Sequence, residues 1–147
     1  MEYVSYSLLR RIVREREVNL SEITQSLPRR FGDHRDFYPL ATLYTAGYIG
    51  STFKAGKDPD FDSNLYLAAL FHTACLGPGK QSYMMFTFFN SEDGRSHEAV
   101  YATAKADMYF AELRHKRIDR VITLVSSVVV GVLSALLTLA AKSTLAL

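Results

Sequence analysis

The C-terminal part of the chain contains the stretch that most limits what this protein can be. Residues 121–141, VITLVSSVVVGVLSALLTLAA, include no charged side chain. A helix of that length spans about 30 Å, which is the thickness of the hydrocarbon core of a bilayer. Its twelve Val, Ile and Leu residues favour insertion by about 4 to 7 kcal/mol, before the costs of Ser, Thr and Gly are counted. The rest of a 147-residue chain is too small to bury such a helix on every side. We therefore predict a transmembrane helix.

The charges that flank this stretch predict its orientation. Four basic residues precede it closely, whereas only Lys142 follows it. The positive-inside rule then places the preceding domain in the cytoplasm and the tail 142–147 outside. The same cations are able to hold anionic headgroups, at about 1 kcal/mol each. We expect a single-pass, tail-anchored protein of a bacterial inner membrane. The four residues, named here the basic collar, are Arg114, Lys116, Arg117 and Arg120.

Small and hydroxyl-bearing residues within the span recur at steps of three and four. This spacing puts them on one face of a helix. The pattern Ser127-xxx-Gly131-xxx-Ala135 lets two helix backbones approach closely, and it therefore predicts self-association in the membrane. The residues of this packing face are Thr123, Ser127, Gly131, Ser134, Ala135 and Thr138.

The composition before the span is typical of a globular domain in a reducing compartment. The chain has one cysteine, so an intramolecular disulfide is impossible. Its first residues, MEYVSYSLLRRIVRERE, lack the apolar core of an export signal. Sequence periodicity predicts an α+β, mainly α, fold. We expect a cytoplasmic domain over residues 1–95, a juxtamembrane helix over 96–120, the span over 121–141 and a short tail over 142–147.

The predicted element order of residues 4–57 is helix, short strand, short helix, helix and strand. Within it, VNLSEITQSL is followed by LATLYTAGYIG. This order and these two strings resemble the winged-helix family of helix-turn-helix domains, in which a similar string ends the third helix and opens the wing. The resemblance implies that a later strand completes the wing. We expect that strand within 82–89, with a helix over 63–76 inserted before it.

The resemblance implies that the third helix, over about 37–46, reads the DNA major groove and that the wing touches phosphates. Transferred to this sequence, it gives a set of candidate contacts for DNA or for a partner. Those on or just before the third helix are Arg35, Tyr38, Thr42 and Thr45, and those placed to meet phosphates are Arg29, Arg30, Lys54 and Lys57.

The chemistry of this region favours a protein partner over DNA. Residues 37–46 contain no Arg, Lys, Asn or Gln, the side chains that usually read base edges. Residues 1–57 carry nine Lys or Arg against six Asp or Glu, a modest net charge for neutralising phosphates. The leading hypothesis is an adaptor or membrane effector that binds a protein partner. The alternative is a membrane-tethered transcription regulator that binds DNA.

Patterns typical of catalysis or cofactor binding are weak in this sequence. His72 and Cys75 have a spacing suited to two metal ligands, but a structural zinc site needs four, and a buried pair in a core helix is the favoured interpretation. The GPGK string at 77–80 lacks the spacing of a phosphate-binding loop. We therefore predict a protein that is not an enzyme, with no cofactor and no metal.

Overall fold

The computed structural model describes residues 3–53, 63–90 and 97–145, with side chains up to Ala135 in the last range. The chain divides into two compact units, Met1–Asp107 and Met108–Leu147. The fold is α+β with helices predominating, and it ends in one long helix. This confirms the fold class at that level. The first unit includes the residues from 96 to Asp107.

Five helices and five strands make up the described residues. The helices are α1 (Tyr3–Glu15), α2 (Leu20–Gln25), α3 (Tyr38–Thr45), α4 (Ser63–Ala74) and α5 (Ala104–Leu145), and a 3₁₀ helix (His34–Phe37) leads into α3. The strands are β1 (Glu17–Asn19), β2 (Ile49–Ser51), β3 (Gly79–Tyr83), β4 (Phe86–Asn90) and β5 (Ala99–Ala102).

Helix α1 is amphipathic, as the spacing of its apolar residues predicts. Leu8, Leu9 and Ile12 are buried, because steps of three and four place them on one face. Arg11 lies outside this face and pairs with Glu15 within α1, and with Glu22 it joins α1 to α2. The helix ends at Glu15, and the next residue, Arg16, has a φ of 69° and turns the backbone into β1.

The helices α3 and α4 form the centre of the first unit. Leu40 and Leu43 of α3 are buried, and α4 is buried along residues 67–73. A helix that is apolar around most of its circumference must be covered on several sides. Accordingly, α4 packs against α2, α3, the 3₁₀ helix and the strands β3 and β4.

Strand β5 is the middle strand of a three-stranded antiparallel sheet with the order β1-β5-β2. Val18 lies opposite Val100, and Gly50 lies opposite Tyr101. A side chain at Gly50 would displace the Tyr101 ring, which occupies the space over that residue. The strand that completes the sheet is therefore β5. The expectation that a strand within 82–89 completes it is wrong. Residues 82–89 lie instead in the separate β3–β4 hairpin.

Helix α5 begins at Ala104, so the expected helical start near Ser96 is wrong. Residues 99–102 are extended because they bond to strands on both sides, and this pairing outweighs their helical periodicity. Residues just after β5 fasten the start of α5 to the first unit. Thr103 Oγ1 donates to the Gly47 carbonyl at 2.7 Å, Lys105 Nζ donates to the Ala46 carbonyl at 2.7 Å, and Arg16 pairs with Asp107 at 2.8 Å.

The remainder of α5 has the properties of a membrane span. Residues Ala104–Ala135 include an 18-residue window of mean hydropathy 1.8, and none of that window is buried. Its Val, Ile and Leu side chains from Val121 to Leu133 are half or more exposed. One helix of the chain is thus long and apolar enough to cross a membrane, which confirms this part of the prediction.

Candidate protein-binding site

The basic residues expected before the third helix meet in one loop, residues 29–36, named here the arginine loop. It contains Phe31, whose side chain is 50% exposed. The Arg35 guanidinium carbon lies 4.5 Å from the centre of the Phe31 ring, and that of Arg30 lies 5.5 Å from it. Both cations therefore stack against the exposed ring, at distances where cation–π attraction operates.

The buried carboxylate of Asp36 sets the backbone of this loop. It accepts hydrogen bonds from the backbone N–H groups of Arg30 at 3.1 Å, Phe31 at 2.9 Å and Gly32 at 2.8 Å. Gly32 has a φ of +74°, a conformation that glycine adopts without a steric cost. The loop is thus folded around one side chain, which holds Phe31 in place before any partner arrives.

The two carboxylates of the loop are ionised for different reasons. Burial raises the pKa of Asp36, but the three backbone donors together outweigh it and hold the pKa below its usual value. A hydrogen bond from the Arg35 side chain lowers the pKa of Asp33 to about 2. Asp33 also accepts from the Arg35 backbone N–H at 2.9 Å, so it fixes the orientation of the guanidinium that lies over Phe31.

Arg29, the first residue of the arginine loop, contacts Phe37 and Cys75. Its guanidinium carbon is 4.6 Å from the centre of the buried Phe37 ring. One of its nitrogens lies 3.2 Å from the sulfur of Cys75. These two contacts are made within the domain. They join the arginine loop to the residue that follows α4.

Helix α3 exposes few side chains of the types that contact nucleic acid bases. Thr42 and Thr45 are exposed, as expected, and Tyr38 is half-buried against His34, with the ring centres 5.8 Å apart. Thr45 Oγ1 donates to Asn64 Oδ1 of α4 at 2.7 Å. The inserted α4 therefore occupies part of the surroundings of α3. Lys54 and Lys57 lie outside the described residues.

A cluster of aromatic and imidazole rings connects the arginine loop to the hairpin. His34 Nδ1 lies 3.0 Å from Tyr83 Oη, at the end of β3. The Tyr83 ring also lies 4.6 Å, centre to centre, from that of His72. Because of this double contact, the 3₁₀ helix, α4 and the hairpin hold one another in place.

His72 is a core residue of α4, as expected, whereas Cys75 is only partly buried and follows the last residue of α4. Burial lowers the pKa of His72, and the charge of Arg29 acts in the same direction. Its Nδ1 has no hydrogen-bond partner among the described residues. Within the same residues, no three His, Cys, Asp or Glu side chains are grouped as metal ligands.

The basic collar and the packing-face residues up to Ala135 lie exposed on α5. In the collar, Lys116 pairs with Glu112 one turn earlier at 2.7 Å. In the packing face, Thr123 Oγ1 donates to the Asp119 carbonyl, and Ser127 Oγ donates to the Thr123 carbonyl. Hydroxyl groups satisfied within their own helix cost less to place in lipid. Thr138 lies within α5, but its side chain is outside the described part.

Comparison of the chain with protein-family models, with curated proteins and with solved structures gives no match. The interpretation of the site is therefore based on the chemistry of its own residues. Sequence reasoning identified the cations of the arginine loop but missed Phe31 and Asp36. The signal was present in the string RRFGDHRD at 29–36, in which an aromatic residue and a glycine stand between two arginines and the first of two acids.

Replacement of Asp36 by Asn tests the architecture of the loop. Asn offers one uncharged acceptor where the carboxylate binds three N–H groups, so we expect a loss of about 1–3 kcal/mol in stability. We also expect faster hydrogen exchange at the amides of residues 30–32, measured by mass spectrometry. Asp33→Asn is the control, and it should leave those three amides protected.

Acidification should reproduce the effect of that substitution. Because the folded pKa of Asp36 is depressed, its contribution to stability is complete above the unfolded pKa of about 3.9 and is lost as the pH falls through the folded value. Unchanged protection of residues 30–32 in Asp36→Asn would contradict this assignment.

Proposed function

We propose that this chain is a non-enzymatic, single-pass membrane protein whose cytoplasmic domain binds a protein partner through the arginine loop. The observation that carries the proposal is the half-exposed Phe31 ring, which contacts two guanidinium groups on a loop fixed by Asp36. Aromatic and arginine side chains dominate the energetics of protein interfaces. A loop that is already ordered also loses little conformational entropy on binding.

We propose a winged-helix arrangement for the domain. The order α1, β1, α2, α3 and β2 is the element order on which the resemblance depends. The antiparallel pairing of β2 with β5 supports a wing in which α4 and the hairpin are inserted between the two strands. The insertion packs on α3, so it supports a use of the domain other than reading a DNA groove.

DNA binding remains the alternative function, and the site supports it less well. Of the three arginines of the arginine loop, Arg35 is paired with Asp33, and Arg29 lies over Phe37. Each phosphate contact needs a cation that is free to displace counterions. The described part of α3 contributes no such cation.

The proposed topology follows from the basic collar. The collar cations are exposed on α5 before the apolar segment. This supports a cytoplasmic first unit, an external C-terminus and a bacterial inner membrane, by the positive-inside rule.

A photocrosslinking amino acid at position 31 tests the binding site. In cells that express the full chain, p-benzoylphenylalanine at Phe31 should give a discrete protein adduct, which Asp36→Asn should abolish because the loop no longer holds the ring. The control is the same probe at Tyr3, which is 85% exposed on α1 and should give no such adduct. An adduct that Asp36→Asn leaves unchanged would contradict the assignment. So would binding of duplex DNA at physiological salt, with an affinity that falls steeply as salt rises.

Replacement of Gly131 by Ile tests self-association through the packing face. No side chain lies within 4 Å of a Cβ placed on Gly131, so the larger residue disturbs nothing within one chain. Since it blocks close approach of a second helix, we expect a clear loss of crosslinked dimer in membranes. Val129→Ile, on another face of the helix, is the control and should retain the dimer. Equal dimer yields in the two variants would exclude this face.

A further inference from the structure

We propose that the β3–β4 hairpin is a second membrane contact, which inserts its tip among the lipid headgroups of the bilayer. The occupant is a lipid surface rather than a further protein. The inference depends on the membrane anchoring given under the proposed function, and the experiment below separates failure of one from failure of the other.

The hairpin turns large apolar side chains away from the domain. Met84 and Met85 form the turn and are 57% and 65% exposed, and Phe89 on β4 is 73% exposed. The two methionines are named here the apolar tip, whereas Phe89 lies near the base of the hairpin, next to the Gly79–Asn90 pair. The opposite face of β4 is buried, with Phe86 and Phe88 packed against Tyr66 at ring distances of 5.3 and 5.4 Å. The alternate residues Phe86 and Phe88 thus contribute to the core, whereas the apolar tip does not.

The backbone of the turn is unfavourable for the residues that occupy it. Tyr83 and Phe86 are paired, so the loop between the strands has two residues. Met84 has a φ of +55°, where such loops favour glycine, asparagine or aspartate. A large unbranched side chain in this conformation is strained. Strain retained at an exposed position points to a use for the side chain, because packing inside the domain does not require it.

The charge on this hairpin suits an anionic surface. Residues 77–90 contain no Asp or Glu. Lys80 is the direct partner of Phe89 near the base of the hairpin, and both side chains are exposed. When the methionines of the tip enter the boundary between headgroups and acyl chains, this cation is therefore placed to meet anionic headgroups above them.

The domain holds the hairpin in a fixed position. Asn90 Nδ2 donates to the Thr73 carbonyl at 2.8 Å and to the Gly77 carbonyl at 2.9 Å. Tyr83 is held by His34 and His72 at the other end. Contact of the tip with lipid would therefore fix the orientation of the whole domain.

The anchor supplies the proximity that a small tip needs. In the sequence, only residues 108–120 lie between the first unit and the apolar segment. The tip of an anchored domain thus samples a bilayer surface at high effective concentration, so a contact that is weak in a free domain becomes populated.

Tryptophan fluorescence tests this contact, because the chain contains no natural Trp. The full chain carrying Met85→Trp is reconstituted into vesicles of phosphatidylcholine and phosphatidylglycerol. We expect emission at shorter wavelength than for a hydrated indole, and loss of that emission when the phosphatidylcholine is brominated in the upper part of its acyl chains. The matched control is Tyr3→Trp on α1, which should emit as a hydrated indole and resist quenching.

Two further variants test the chemistry of the contact. Adding Met84→Glu to Met85→Trp places a carboxylate at the tip and should abolish the quenching without affecting the core. Adding Lys80→Glu should reduce the quenching in vesicles with phosphatidylglycerol more than in vesicles of phosphatidylcholine alone. Equal reduction in both would overturn the part assigned to Lys80.

The outcomes show whether lipid, protein or water surrounds the apolar tip. Emission of Met85→Trp as a hydrated indole overturns the proposal. Short-wavelength emission that brominated lipid does not quench also overturns it, since a second copy or another protein then covers the tip. Equal quenching in Tyr3→Trp excludes a contact specific to the hairpin. Flotation of the same vesicles tests the anchor separately: a chain that floats without quenching refutes the hairpin contact alone, and a chain that does not float refutes the anchoring.

Discussion

Strand β5 is the element on which the arrangement of this protein depends. It bonds to β1 on one side and to β2 on the other, so four residues close the sheet of the first unit. The next residues start α5 and are bound by the loop after α3 and by the end of α1, through Thr103, Lys105 and Asp107. The helix that carries the apolar segment is therefore part of the folded unit at its first turn. No separate linker lies between the sheet and α5.

The binding proposals share a physical basis, which is apolar surface presented by a rigid support. In the arginine loop the support is the Asp36 carboxylate with its three N–H donors, and the presented ring is Phe31. In the hairpin the support is the packing of β4 on Tyr66 together with the bonds of Asn90, and the presented residues are methionines. The rings of His34, Tyr83 and His72 lie between the two supports. Packed side chains thus connect the supports of the two proposed surfaces.

The sequence predicted elements whose patterns are local. The α1 face, the short strand after it and the apolar C-terminal helix follow from periodicity and length alone. It misplaced the strand that completes the sheet, because FTFF at 86–89 is more strand-like than AVYA at 99–102. Residues 99–102 complete the sheet because they pair with both β1 and β2. Such pairing cannot be predicted from the sequence of one segment. For the same reason the arginines of the site were found, since they form a cluster in the sequence. The role of Asp36 was missed, because it depends on backbone N–H groups that converge only in the folded loop.

The function proposed here requires the bilayer to cover α5. Its described apolar side chains are exposed along the whole segment, which is unfavourable in water and favourable in lipid. The most direct measurement is alkaline carbonate extraction of membranes from cells that express the full chain, beside a chain lacking residues 121–147. The account predicts that the full chain stays in the membrane pellet and that the shortened chain is soluble. Release of the full chain into the supernatant would contradict it.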